Sequence, residues 1–251
     1  MGSWDDLWSE LDLWRDIGGG ATFWWRDDDA VIVTPPLEGL LALGTRTGTP
    51  LALAVIPRDL NGTLAERLAD EPAVAVLQHG WAHANHAPDD GRAEEYGPDR
   101  PMAERIDELA AGWHRLQPFA RPLPVLVAPW NRMDPDLISY LPQAGLTGVS
   151  VLGPRPSAEI APGVRCCNVH VDIMDWQGTG GFVGDAAALQ QIIDHLVMRR
   201  SGACAVDEPT GLMTHHQYHD DGCWRFIETL LAETGRHPAV RWLDPERAFW
   251  P

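Results

Sequence analysis

Cysteine is scarce in this 251-residue chain, and so is positive charge. The four cysteines, Cys166, Cys167, Cys204 and Cys223, form no CxxC pair, and two of them are adjacent. They are too few and too irregular for a disulfide framework or a zinc ribbon, so buried or free thiols in a reducing compartment are expected. Nineteen basic residues face 36 acidic ones, for a formal net charge of -17. Such a surface repels a phosphate backbone or an anionic bilayer, so neither nucleic acid nor membrane is an expected partner. A highly anionic substrate is disfavoured too, unless a metal reverses the local field. No stretch approaches the roughly 20 apolar residues of a membrane span. The opening segment MGSWDDLWSELDLW is acidic and amphipathic, without the basic and then apolar run of a signal peptide. The expectation is a cytoplasmic protein, and composition leaves its oligomeric state open.

What is present is the make-up of an ordinary globular chain, 45% hydrophobic and 22% charged. Continuous apolar runs read as buried parallel strands at 22–25, 51–56, 74–78, 125–128, 148–152, 165–171, 211–214 and 240–243. Helical stripes lie between several of them: Ile106, Leu109, Ala110, Trp113 and Leu116; Leu189, Ile192, Ile193, Leu196 and Val197; Trp224, Ile227, Leu230 and Leu231. No repeat or low-complexity linker interrupts the pattern. Strands alternating with helices over this length predict an α/β fold in one domain, a distorted (β/α) barrel of about seven or eight parallel strands. Residues 1–20 form a helical extension and 21–251 the barrel.

The polar residues follow the strand ends. The first strand runs into Arg26-Asp27-Asp28-Asp29, and the third into His79-Gly80-Trp81-Ala82-His83-Ala84-Asn85-His86. The fourth ends in Pro129-Trp130-Asn131. His170, Asp172, Asp175 and Trp176 accompany the sixth, and His215-His216 the seventh. In a parallel barrel all strand C-termini open on the face that carries the active site, so these clusters converge. His79 and His83 have the i, i+4 spacing that puts two imidazoles on one side of a helical turn. Two imidazoles and a carboxylate hold a tetrahedral metal with one position open. Gly80 follows His79, so this is not the HExxH signature of metalloproteases. Three adjacent aspartates beside a buried strand repel one another, and a cation together with Arg26 relieves that cost. Trp81, Trp130 and Trp176 sit among polar residues and read as apolar walls of a cleft.

The ordered set of motifs resembles the NodB-type polysaccharide deacetylases, carbohydrate esterase family 4, in an atypical intracellular form. The resemblance spans residues 26 to about 220. It implies a distorted barrel that removes acetyl groups from sugars with a divalent metal, most often zinc. It makes Asp28 the catalytic base and Asp29, His79 and His83 the metal ligands, with Asp27 peripheral. Pro129 and Trp130 resemble the third motif. Asp172-Ile173-Met174-Asp175-Trp176 resembles the fourth. Leu212-Met213-Thr214-His215 resembles the fifth, whose histidine is the general acid, with His216 as the rival neighbour. The remaining pocket residues are Arg26, Trp81, His86, Asn131, His170, Asp172, Asp175 and Trp176. Two departures stand out. The arginine that opens the third motif is replaced by Val127, with Arg26 a substitute two residues before Asp28, and Asp29 is followed by Ala30 rather than glycine.

The expected activity is therefore metal-dependent removal of an acyl group, typically acetyl, from an N- or O-acylated carbohydrate or related small molecule. Two competing readings are a metal-independent glycosidase using paired carboxylates such as Asp28 and Asp172, and a non-catalytic carbohydrate- or metal-binding relative.

Overall fold

A computed structural model describes residues 2–89 and 91–251. The chain alternates strands β1 (Ala21–Ala30), β2 (Leu51–Val55), β3 (Val74–His79), β4 (Pro122–Val127) and β5 (Gly148–Ser150) with helices α2 (Pro35–Thr47), α3 (Gly62–Leu68), α4 (Met102–Leu116) and a 3-10 segment, Pro135–Ala144. Helix α1 (Trp4–Asp16) precedes them. Short strands β6 (Glu159–Ala161), β7 (Val164–Cys166) and β8 (Val171–Asp172) follow, then α5 (Asp185–Ser201), β9 (Thr210–Thr214), α6 (Asp221–Thr234), β10 (Val240–Trp242) and α7 (Pro245–Phe249). The sheet order is β6-β7-β5-β4-β3-β2-β1-β9-β8, with β10 against the start of β1. Every pairing is parallel except β6 with β7. A single parallel bridge, Leu152 to Val169, links the two flanks, so the sheet curls into a distorted barrel. Among the described residues no helix is long and apolar enough to cross a membrane.

Alternation along each strand explains the layers. Trp24, Ala52, Ala54, Ala75, Leu77, Val125, Val127 and Met213 form the inner core. Phe23, Trp25, Leu51, Leu53, Val55, Val74, Val76 and Leu212 pack outward against helices. The inner alanines leave room for the Trp24 ring, fully buried, whose indole N–H donates to the Asn168 carbonyl. The three helical stripes face the cores, with one exception: Val197 is 37% exposed, because the stripe of α5 is narrower than its apolar sequence. Helix α1 is capped by a reciprocal Ser3–Asp6 box and buries Leu7, Leu11 and Trp14 in the outer core.

The apolar run 165–171 is two strands rather than one. Between them Asn168 turns its amide inward: its Oδ1 accepts the Val151 N–H and its Nδ2 donates to the Gly153 carbonyl. These side-chain bonds add to the backbone bonds that Cys167 and Val169 keep with Val149 and Val151.

Candidate active site and metal centre

The inner face of the barrel continues upward into the site. Trp24, Arg26 and Asp28 follow one parity on β1, and Ala75, Leu77 and His79 do so on β3. Strict alternation would turn Asp29 away from Asp28. The register of β1 against β2 breaks between Asp27 and Ala30, and Asp29 takes a left-handed backbone, φ 70°. This bulge aims both carboxylates at one cavity, a common use of bulges beside active sites. Four non-glycine residues have positive φ among the described residues: Asp29, His83, Trp130 and Asn131. All four line the same cavity, of about 410 Å³. Each costs on the order of 1 kcal/mol, and such strain concentrates where function holds it in place.

Asp29, His79 and His83 bring one donor atom each to within 4.8 Å of the others. His79 Nε2 lies 3.1 Å and His83 Nε2 3.4 Å from Asp29 Oδ1. His79 Nδ1 donates to the Val127 carbonyl at 3.1 Å, which leaves a lone pair on Nε2. Asp29 Oδ1 is buried and has no hydrogen-bond donor. Acceptors that converge without a donor repel each other unless a cation sits between them, so these residues fit a divalent metal. Burial pushes Asp29 up, but the surrounding imidazoles of His79, His215 and His83 outweigh it and hold its carboxyl well below the usual range. Burial and the neighbouring His79 push His83 down, which keeps its ring neutral.

The loop between the two histidines is built on a residue without a sequence signal. Glu95 is fully buried, and its carboxylate accepts the N–H groups of Trp81 (3.1 Å) and Ala82 (2.7 Å). Desolvation raises its pKa, while those amides oppose the rise. Gly80, at φ 61°, lies so close that a Cβ would collide with the Glu95 carboxylate and with Pro129. Glu95→Gln turns one acceptor into a donor facing N–H groups. It is expected to weaken divalent-metal affinity about 10- to 100-fold while the protein stays folded, as changes behind metal ligands do. Competition with a chromogenic chelator checks this, and unchanged affinity refutes the part assigned to Glu95.

Asp28 is buried in a two-pronged ion pair: Arg26 Nε to Oδ1 at 2.8 Å and Nη2 to Oδ2 at 2.9 Å. Arg26 also donates to Ser150 Oγ and Asn131 Oδ1. Arg26 therefore stands behind Asp28 instead of lining the cavity. Its charge matches that of Asp28 and its planar fork fixes the carboxylate orientation. His215 opens onto the cavity, with Trp176 edge-on at 4.8 Å and no hydrogen-bond partner for its Nδ1. Asp172 accepts from the Trp176 indole (2.9 Å) and the Met174 N–H (3.0 Å), and is not bonded to His215. Burial raises the Asp172 pKa.

Asp28, Asp29, His79, His83, Trp130, Asn131, Asp172, Trp176 and His215 line the cavity, together with Arg132, Leu152, Gln177, Met213 and Tyr218, which the sequence did not single out. Several expected pocket residues lie elsewhere. His86 is exposed on its loop, Trp81 packs toward α4, and Pro129 is buried beneath Trp130. Asp175 accepts the Thr179 N–H and closes a turn. His170 stacks on His195 at 3.4 Å beside the buried Glu208. Its Nδ1 accepts the Gly211 N–H, which places the proton on Nε2, 3.5 Å from Glu208; His170, His195 and Glu208 are a second group of converging ligand atoms, outside the cavity. His216 is buried against Asp27. Asp27, expected to be peripheral, is fully buried and accepts from Thr214 Oγ1 (2.6 Å), the His216 N–H (3.0 Å) and the His216 ring.

No family model and no curated protein matches the chain. Solved structures do. A polysaccharide deacetylase structure from Mycobacterium smegmatis aligns with TM-score 0.63 at 14% identity, over 92% of this chain and 90% of that one. A family 4 carbohydrate esterase from Streptomyces lividans, in complex with acetate, gives 0.52 at 13% identity over 88% and 90%. A family 4 acetyl xylan esterase from Clostridium thermocellum, in complex with a cobalt ion, gives 0.54 at 12% over 91% and 90%. The chain has the fold of the carbohydrate esterase family 4 deacetylases.

Proposed function

We propose that this protein is a metal-dependent hydrolase that removes an acyl group, typically acetyl, from an N- or O-acylated carbohydrate or related small molecule. One observation carries the reading: three metal-ligating atoms converge without a donor, beside a buried Arg26–Asp28 pair and across from a cavity-facing His215. The acetate bound to one fold relative and the cobalt ion bound to another support it. The net charge of -17 fits an uncharged or cationic substrate better than an anionic one.

Asp29, His79 and His83 would hold the cation. Bound there, a divalent metal, with zinc the first candidate, supplies Lewis acidity toward the acyl oxygen and the attacking water. Asp28, oriented by Arg26, takes a proton from that water as its oxygen bonds to the acyl carbon. The Trp130 backbone N–H, on the cavity wall, would receive the oxygen on which charge develops. His215 then gives a proton to the departing nitrogen or oxygen as its bond to the acyl carbon breaks. The products are a carboxylic acid and an amine or alcohol. A glycosidase working through Asp28 and Asp172 leaves the three ligands without a task, which favours the hydrolase reading over it.

Metal analysis of the purified protein, joined to a turnover screen over acetylated sugars and small amides, tests the proposal. One equivalent of zinc and hydrolysis of at least one compound are expected. His215→Ala should keep the metal and lower turnover by about 10²- to 10⁴-fold. His216→Ala that abolishes turnover with the metal and fold intact, alongside a mild His215→Ala, would move the acid to the neighbour. A metal-free, inactive wild type refutes the whole reading.

A further inference from the structure

Beside the catalytic cavity lies a second one of about 500 Å³. Asn131, Arg132 and Leu152 belong to the walls of both, so the two adjoin. Beyond them the second cavity is lined mainly by Met133, Ile138, Val151, Pro154 and Ile160. Its buried polar residues are already satisfied. The Asn168 amide is spent on Val151, Gly153 and the Cys166 thiol. Burial pushes that thiol up to about 12, so it is no nucleophile. Glu94 and Arg132 add one charge of each sign. Leu152, at the junction, is 47% exposed.

A sugar ring needs several donors and acceptors around it, and these walls offer few. The cavity also has no chemistry of its own; its reactive neighbour is the catalytic cavity. Building on the hydrolase reading above, we infer that the substrate carries an apolar group, an alkyl chain or ring, which is buried in this cavity while the acyl bond lies at Asp28 and His215. The group belongs either to the acyl chain or to the amine or alcohol released.

The test compares kcat/KM for N-acetylglucosamine, N-octanoylglucosamine and octyl N-acetyl-β-glucosaminide, and measures binding of octyl β-glucoside by calorimetry. One octyl substrate is expected to exceed N-acetylglucosamine by at least about tenfold, as burial of several methylenes implies. Which one does so identifies the side of the bond that bears the apolar group. Leu152→Glu, at an exposed position, and Ile160→Asp should each reduce that ratio severalfold and weaken octyl β-glucoside binding. Hydrolysis of N-acetylglucosamine with no octyl advantage and no octyl β-glucoside binding overturns the subsite and leaves the hydrolase reading intact. Binding of octyl β-glucoside that both variants abolish, in a protein that hydrolyses none of the three, upholds the subsite and overturns the reaction.

Discussion

Asp29→Asn is expected to emerge metal-free and inactive, whereas Asp28→Asn should emerge metal-replete and slower by about 10²- to 10⁴-fold. The two residues are adjacent, and each presents its carboxylate to the cavity, but through different bonds. Asp29 Oδ1 has no donor and faces two imidazole lone pairs. An amide there loses the negative charge a dication needs, or turns an N–H toward the metal. Both Asp28 oxygens accept from the Arg26 fork instead. An amide at Asp28 keeps the shape, removes the proton acceptor and leaves the Arg26 charge buried without its partner, so some loss of stability accompanies the loss of rate. Metal content by atomic emission and kcat on the best substrate of the screen decide it. A metal-replete Asp29→Asn, or full turnover by Asp28→Asn, would show that the roles are misassigned.

The strands were legible because a parallel sheet buried on both faces writes itself as continuous apolar runs. The run 165–171 splits around a single polar residue, Asn168, whose amide bonds Val151 and Gly153 across the gap. Cavity residues at strand ends were legible for the same reason: position along a barrel strand fixes position in space. Orientation was not. His170 and Asp175 stand near strand ends, as the cavity residues do, but one faces α5 and the other its own turn. Glu95, Arg132 and Leu152 lie in loops, where no periodicity links sequence to space. Glu95 matters only because Gly80 brings the histidine loop onto it. The bulge at Asp28-Asp29 has no composition cue, and without it Asp27 reads as an outlying member of an acidic knot.

Asp27 is the residue whose expected importance changes most. It points to the outer side of β1 with Trp25, where its carboxylate is fully buried. Thr214 Oγ1, the His216 N–H and the His216 ring all donate to it, and the Trp25 indole donates to the same threonine. Asp27 therefore ties the end of β9, and the turn that carries His215, to the strand that carries Asp28. Attraction to His216 and the hydrogen bond from its ring overcome burial and hold Asp27 below its ordinary pKa, while Asp27 raises that of His216. Removing one partner of a buried pair leaves the other uncompensated, at a cost of about 3–5 kcal/mol. Asp27→Ala should lose that much in urea unfolding, and Asp27→Asn, which keeps the shape and one acceptor, about 1–3 kcal/mol. In the folded fraction, metal content should stay at the wild-type level, because no ligand touches Asp27. If the loss comes from the pair, Asp27→Ala joined to His216→Ala should cost less than the sum of the two single changes. Additive losses, or an Asp27→Ala within about 0.5 kcal/mol of wild type, would mean that the contact between β1 and β9 rests on the apolar packing around Trp25 alone.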